Sequence, residues 1–234
     1  MKLRISSLLY LPLLLAVAPG AAWAQQAAQT LYPAMAPIAQ YLMASADAEI
    51  ALARTAAPVS GDAGVLVLTS QGYESAAKGK NGFVCMVLRS WTAGLDDVEF
   101  WNPKIRAPHC FNDVAVRSYI PLIVKRTDLV LQGKSKAQIE ATIHAALDKK
   151  ELPMQELGSM VYMMSKQGYL NDRAAGPWHP HLMFFLPESY AGSWGADLAR
   201  VPIFAAPDPL DRLVIFMVPV AQWSDGTPGP AMEE

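Results

Sequence analysis

Residues 65–91 read VLVLTSQGYESAAKGKNGFVCMVLRSW, and this stretch decides the fold class because its strand-like segments follow one another without a helix between them. Apolar runs at 65–68 and 83–88, and a weaker one at 73–77, have the length and composition of β-strands. Between the last two lies KGKNG, in which Asn-Gly favours the positive φ angles of tight hairpins. The stretch therefore predicts three strands, the second and third paired as an antiparallel hairpin.

Helical patterns flank these strands. Apolar residues spaced three or four apart predict a helix that begins at residue 33 and ends before Pro58. A second helical region covers 113–132, and Pro121 predicts a break near Tyr119, because proline is tolerated only in the first turn of a helix.

The second half of the chain adds one more helix and further strands. Ser135 and Gln138 have the spacing of a capping box, and the helix that follows has an apolar stripe of Ile139, Ile143, Ala146 and Leu147. Apolar runs at 160–164, 182–186 and 213–218 are strand candidates. Grouped strands predict an α+β fold: a single domain with a mainly antiparallel sheet of about five to six strands and three helices packed on it.

The first 24 residues have the three parts of a secretory signal peptide. Lys2 and Arg4 precede an apolar run at 8–17, and Ala22 and Ala24 supply the small residues of a cleavage site. The alternative is an uncleaved anchor, but about ten apolar residues are fewer than the roughly 20 that span a bilayer. We expect cleavage after Ala24 and a periplasmic or extracellular protein.

Cleavage at this site would leave a disordered lead-in at 25–33, one domain at 34–220 and a disordered tail at 221–234. The mature chain would carry 17 basic and 21 acidic residues, a net charge of −4. This mild acidity gives no reason to expect nucleic acid as a partner, and no second apolar run is long enough for a transmembrane segment. A small molecule or an envelope protein remains as a candidate partner.

Cys85 and Cys110 are the two cysteines of the chain. In an oxidising compartment an even pair favours a disulfide, which would attach the far end of an irregular segment at 92–112 to the sheet. Two buried thiols, or a thiol nucleophile, are the alternatives.

His179-Pro180-His181 is the strongest candidate metal motif. If a strand begins here, residues two apart point to the same face, and two imidazoles on one face can share a divalent ion. A third ligand would come from His109, Asp113, Asp172 or Glu188. The alternative is a loop in which both rings bond backbone carbonyls.

Two functions follow from these residues. A metal-dependent hydrolase would use His179 and His181 as ligands and Asp113 or Glu188 as carboxylate, while His109 is a candidate general base or a partly exposed loop residue. A binding protein would instead use the long loops at 171–180 and 187–211, whose aromatic residues suit a ligand cleft or cover an open sheet face. These aromatic residues are Trp178, Tyr190 and Trp194.

Four stretches together resemble a family of uncharacterised exported bacterial proteins: GKNGFVC at 79–85, APHCF at 107–111, VYMMS at 161–165 and PHLMFF at 180–185. The resemblance extends over about residues 34–220. It implies a single domain and supports the disulfide, but it carries no activity, substrate or cofactor.

Overall fold

A computed structural model describes residues 31–172, 178–190, 192–196, 198 and 201–231. The expected signal peptide and most of the expected lead-in lie outside these residues. The strands are β1 (Gly64–Thr69), β2 (Gly72–Ala77), β3 (Val84–Leu88), β4 (Ala107–Phe111), β5 (Met160–Met163), β6 (His181–Leu186), β7 (Phe204–Asp208) and β8 (Leu213–Pro219). The α-helices are α1 (Ala46–Ala53), α2 (Asp113–Ser118), α3 (Ile120–Leu131) and α4 (Lys136–Asp148).

The eight strands of the described residues belong to one sheet, in the order β2-β1-β3-β4-β5-β6-β8-β7. Neighbouring strands are antiparallel except β1 and β3, which are parallel. The α+β class and the mainly antiparallel sheet are confirmed. The expected five to six strands and three helices are too few.

Two of the strands were not predicted, and each contains a proline. β4 includes Pro108 and was assigned to an irregular segment, yet all five of its residues are buried. β7 includes Pro207 and lies at an edge of the sheet. Proline has no N–H to donate to a neighbouring strand, so its presence argues against a strand assignment. Here tertiary packing overrides that signal.

The predicted hairpin between β2 and β3 is wrong. β2 pairs with β1, and β3 lies on the other side of β1. The turn at 78–82 carries the chain across the start of β1, where Lys80 N donates to Asp62 O at 2.7 Å and Gly64 N donates to Phe83 O at 2.8 Å. Gly82 has the positive φ that the Asn-Gly signal predicts, but the turn delivers β3 parallel to β1.

The first helix is much shorter than predicted, because Ser45 caps it by accepting a hydrogen bond from Ala48 N. Only a 3-10 turn, Ile38–Gln40, precedes it. The break at Tyr119 is confirmed by the boundary between α2 and α3. The capping box of α4 and all four residues of its buried stripe are confirmed as well.

The two sheet faces are covered differently. On one face, here called the helix face, side chains such as Met86 and Val161 pack against the buried side of α2, α3 and α4. On the other face, Cys85, Val87 and Cys110 pack around the end of α1.

The segment at 221–231, expected to belong to a disordered tail, contacts the rest of the domain. Trp223 is buried, and Ser224 N donates to Met164 O at 2.9 Å. Within the described ranges, the helices fall short of the length and apolar character needed to cross a bilayer.

Candidate functional site

A cavity of about 450 Å³ lies over one end of the helix face, where β3, β5 and β8 end and β4 and β6 begin. Its floor is formed by strand residues, and its walls by the segment at 89–105 together with Tyr119 and Leu170. The floor residues are Leu88, Ala107, His109, Met163, His181, Met183, Phe185, Ile215 and Met217.

Three of these floor residues lie in one row across neighbouring strands. Met163 is the register partner of His181. Cys110 pairs with Tyr162, so one step along β4 and β5 brings His109 opposite Met163. With strands about 4.8 Å apart, the Cα atoms of the two histidines are separated by about 10 Å. The sheet thus presents an imidazole, a thioether and an imidazole on one face.

Both imidazoles have the same tautomer. Nδ1 of His109 lies 2.8 Å from Ala107 O, and Nδ1 of His181 lies 2.8 Å from His179 O. A carbonyl oxygen only accepts, so each neutral ring carries its proton on Nδ1 and leaves a lone pair on Nε2. Burial lowers the pKa of His109 to about 4 and also lowers the pKa of His181. Both rings are therefore neutral at pH 7.

A shared local sequence produces this arrangement. Each histidine follows a proline, Pro108 or Pro180, and each ring donates to the carbonyl of the residue before that proline. The repeated Pro-His dipeptide is the signal by which the pair could have been found in the sequence.

The cavity wall contributes one polar atom without a partner. Ser90 is a lining residue, and its hydroxyl is buried and makes no hydrogen bond to any residue that the structure describes. A buried hydroxyl left unpaired costs about 1–3 kcal/mol, so such groups usually have a partner.

Charged residues near the cavity are engaged with the protein. The Arg89 guanidinium donates to both carboxylate oxygens of Glu49 at 3.0 Å. Glu99 accepts from the Asn102 side chain at 2.8 Å and from Asp172 N at 2.9 Å. These charges hold the wall segment in place.

The predicted metal residues are only partly brought together. His181 lines the cavity, whereas His179 precedes β6 outside it and contributes its carbonyl to His181. Asp113 lies on the surface in an ion pair with Arg117. Glu188 is exposed in a 3-10 turn, and Asp172 pairs with Lys104.

His109 is a buried residue of β4 that stacks against Phe111 at 5.9 Å, and not the partly exposed loop residue that we considered. Its free Nε2 is in the state that a general base or a metal ligand requires. Among the residues that the structure describes, no three side chains of the His, Cys, Asp and Glu types form a group that could hold a metal ion.

The predicted aromatic residues lie on opposite faces of the sheet. Trp178 packs edge-on against His181 at 5.8 Å and against Trp223 at 4.9 Å. Trp194 stacks on Phe216 at 4.9 Å, on the other face, and Tyr190 is exposed. Of the two aromatic loops, residues 173–177, 191, 197, 199 and 200 lie outside the described residues.

Chemically, the cavity combines apolar walls with a few polar groups: two imidazoles with free lone pairs and a thioether. Small-molecule and ion sites have this composition. Comparison of the chain with protein-family models, with curated proteins and with solved structures gives no match.

Proposed function

We propose that this chain is an exported binding protein that holds a small ligand in the cavity on the helix face. The observation that carries the proposal is that His109 and His181, each with Nδ1 bonded to a backbone carbonyl and Nε2 left free, line one cavity with apolar walls. Polar atoms that orient a ligand within apolar surroundings are the usual composition of a binding site. Arg89 adds little net charge because Glu49 neutralises it.

Two observations support export. The N-terminal residues have the pattern of a cleavable signal peptide, and the Sγ atoms of Cys85 and Cys110 lie at disulfide-bonding distance, which suits an oxidising compartment. N-terminal sequencing of the protein from fractionated cells tests this part. We expect the periplasmic or extracellular fraction to contain a chain that begins at Gln25. A chain that begins at Met1 and stays in the cytosol contradicts it.

Access to the cavity can be tested with N-phenyl-1-naphthylamine, a neutral fluorescent probe with an apolar body and one N–H donor. We expect its fluorescence to rise saturably with about one probe per mature chain. Ala107→Phe places a large side chain on the cavity floor and should weaken probe binding at least tenfold. The control is Leu182→Phe, since Leu182 lies on β6 but is not a lining residue.

Circular dichroism and thermal denaturation of both variants separate loss of the cavity from loss of the fold. Probe binding that is absent in the wild type, or that is unchanged in a folded Ala107→Phe variant, contradicts the proposed function.

A further inference from the structure

We propose that His109, Met163 and His181 bind one Cu(I) ion at the end of the cavity. The inference rests on the proposed function and deepens it, because it names the class of ligand as a soft, monovalent metal ion. It differs from the divalent site expected at His179 and His181: Met163 takes the central place, and His109 replaces His179.

The hydrogen bonds of the two histidines are those of metal ligands. A metal-ligating imidazole usually donates its other ring N–H to a carbonyl or carboxylate, which orients the ring and sets its tautomer. Ala107 O and His179 O do this for His109 and His181 at the same distance of 2.8 Å. Both Nε2 lone pairs are thereby left free on the face that carries Met163.

The third donor selects the metal. Thioether sulfur is a soft ligand that favours Cu(I), while imidazole binds copper in either oxidation state. The three donors carry no charge, and His109 and Met163 are buried. The cost of transferring an ion into an apolar site rises with the square of its charge, so a neutral, buried donor set favours a monovalent ion over a divalent one.

More thioethers surround this row. Met183 follows His181 on the same face and pairs in register with Met217, and both line the cavity. Met86 lies beside His109 at the other end of the row. No thiol competes on this face, because Cys110 points to the opposite face and lies at bonding distance from Cys85.

The charges near the cavity are compatible with a cation. Among the described residues of the lining, Arg89 carries the one guanidinium, and it is paired with Glu49. The carboxylates of Asp97 and Glu99 also border the cavity.

The test is an anaerobic titration of the purified mature protein with tetrakis(acetonitrile)copper(I), in competition with bicinchoninate and without a thiol reductant. We expect one Cu(I) per chain. Met163→Leu keeps the size of the side chain and removes the sulfur, so it should weaken binding at least tenfold and remove the copper–sulfur scattering from the X-ray absorption spectrum. His109→Gln and His181→Gln should each weaken binding to at least the same extent. Met154→Leu is the matched control, since Met154 is exposed and is not a lining residue.

Several results would overturn the inference. One is the absence of tight Cu(I) binding, and another is Cu(I) binding that a folded Met163→Leu variant retains unchanged. Zn(II) binding tighter than Cu(I) binding would also overturn it, because an imidazole site without a role for sulfur would then explain the data. Saturable naphthylamine binding without copper binding refutes the copper site and leaves the proposed cavity function intact. Absence of both refutes both.

Discussion

Glu49 and Arg89 form an ion pair closed off from solvent, in which Nη2 of Arg89 lies 3.0 Å from each carboxylate oxygen of Glu49. Glu49 belongs to α1, and Arg89 follows β3 and borders the cavity. Both residues also bond the backbone: Glu49 Oε1 accepts from Leu68 N, and Arg89 Nε donates to Tyr41 O. The pair thus joins α1, the sheet and the cavity wall.

Breaking this pair from one side should strongly destabilise the protein. Glu49→Gln leaves the Arg89 guanidinium buried without a counter-charge, and we expect the free energy of unfolding to fall by about 3–5 kcal/mol. Urea denaturation of the mature protein measures the change. The control is Arg117→Gln, which breaks the exposed pairs of Arg117 with Asp113 and Glu156 and should cost at most about 1 kcal/mol. Equal losses of unfolding free energy in the two variants would show that the buried pair contributes no more to stability than an exposed pair.

Gly79 should not tolerate a side chain. A Cβ at this position would lie 2.3 Å from Gly64 N and 2.9 Å from Ala63 C, and both are backbone atoms that cannot rotate away. We expect Gly79→Ala to lower the free energy of unfolding by about 1–3 kcal/mol. Gly61→Ala is the control, because nothing lies within 4 Å of its Cβ, and it should stay within about 0.5 kcal/mol. Chemical denaturation measures the free energy of unfolding of both variants. If Gly79→Ala leaves it unchanged, the contact between the 78–82 turn and β1 is contradicted.

Local signals predicted the break between α2 and α3 and the start of α4, although the cap of α1 at Ser45 is equally local and was missed. Pro121 is tolerated in the first turn of α3 but would interrupt a helix that continued from α2. The chain therefore breaks at Tyr119. Ser135 and Gln138 satisfy each other across one turn of α4. Such signals need no knowledge of the rest of the chain.

Strand pairing could not be predicted in the same way. The Asn-Gly turn before β3 was interpreted correctly as a turn, but whether β3 then pairs with β1 or with β2 depends on contacts between distant residues. Pro108 and Pro207 suggested loops, because the packing that favours β4 and β7 is invisible to a local pattern.

The candidate site follows from the sheet order and was therefore found only in part. His109 and His181 are 72 positions apart and meet because β5 lies between β4 and β6. Sequence spacing drew attention to His179, which is close in sequence to His181 but outside the cavity lining. Met163 and Ser90 gave no signal, since a methionine in an apolar run and a single serine are common in any core.

Removal of the cysteine pair should lower stability. Cys85 and Cys110 are direct partners on β3 and β4, and a bridge between them closes a loop that contributes about 3.5 kcal/mol in the chain-entropy model. We expect the double variant Cys85→Ala, Cys110→Ala to lose about that free energy of unfolding in urea. A reductant should destabilise the wild type by a similar amount and leave the double variant unchanged. Thiol titration of the denatured, non-reduced wild type should find no free thiol, and two free thiols would refute the bridge.

The buried cluster of Asp208, Asp211 and Arg126 should make the folded state less stable as the pH rises. A carboxylate that is ion-paired in the folded state usually has the opposite effect. Nη2 of Arg126 lies 2.8 Å from Asp211 and 3.9 Å from Asp208, and Tyr119 is also close enough to interact with all three. Burial, and secondly the charge of Asp211, raise the pKa of Asp208 to about 6, although Arg126 opposes the shift.

Between pH 4 and pH 6, the folded state therefore keeps a proton on Asp208 that the unfolded state has lost. The contribution of this group to stability is present at low pH and is lost as the pH rises through about 6. Asp208→Asn removes this titrating group. The free energy of unfolding of the variant, minus that of the wild type at the same pH, should therefore rise by about 3 kcal/mol from pH 3.5 to pH 7. Urea denaturation at several pH values measures this difference, and Asp62→Asn, at an exposed position, controls for the loss of one negative charge. A difference that is constant or falls with pH would mean that the pKa of Asp208 is not raised in the folded state, with Arg126 compensating for its burial.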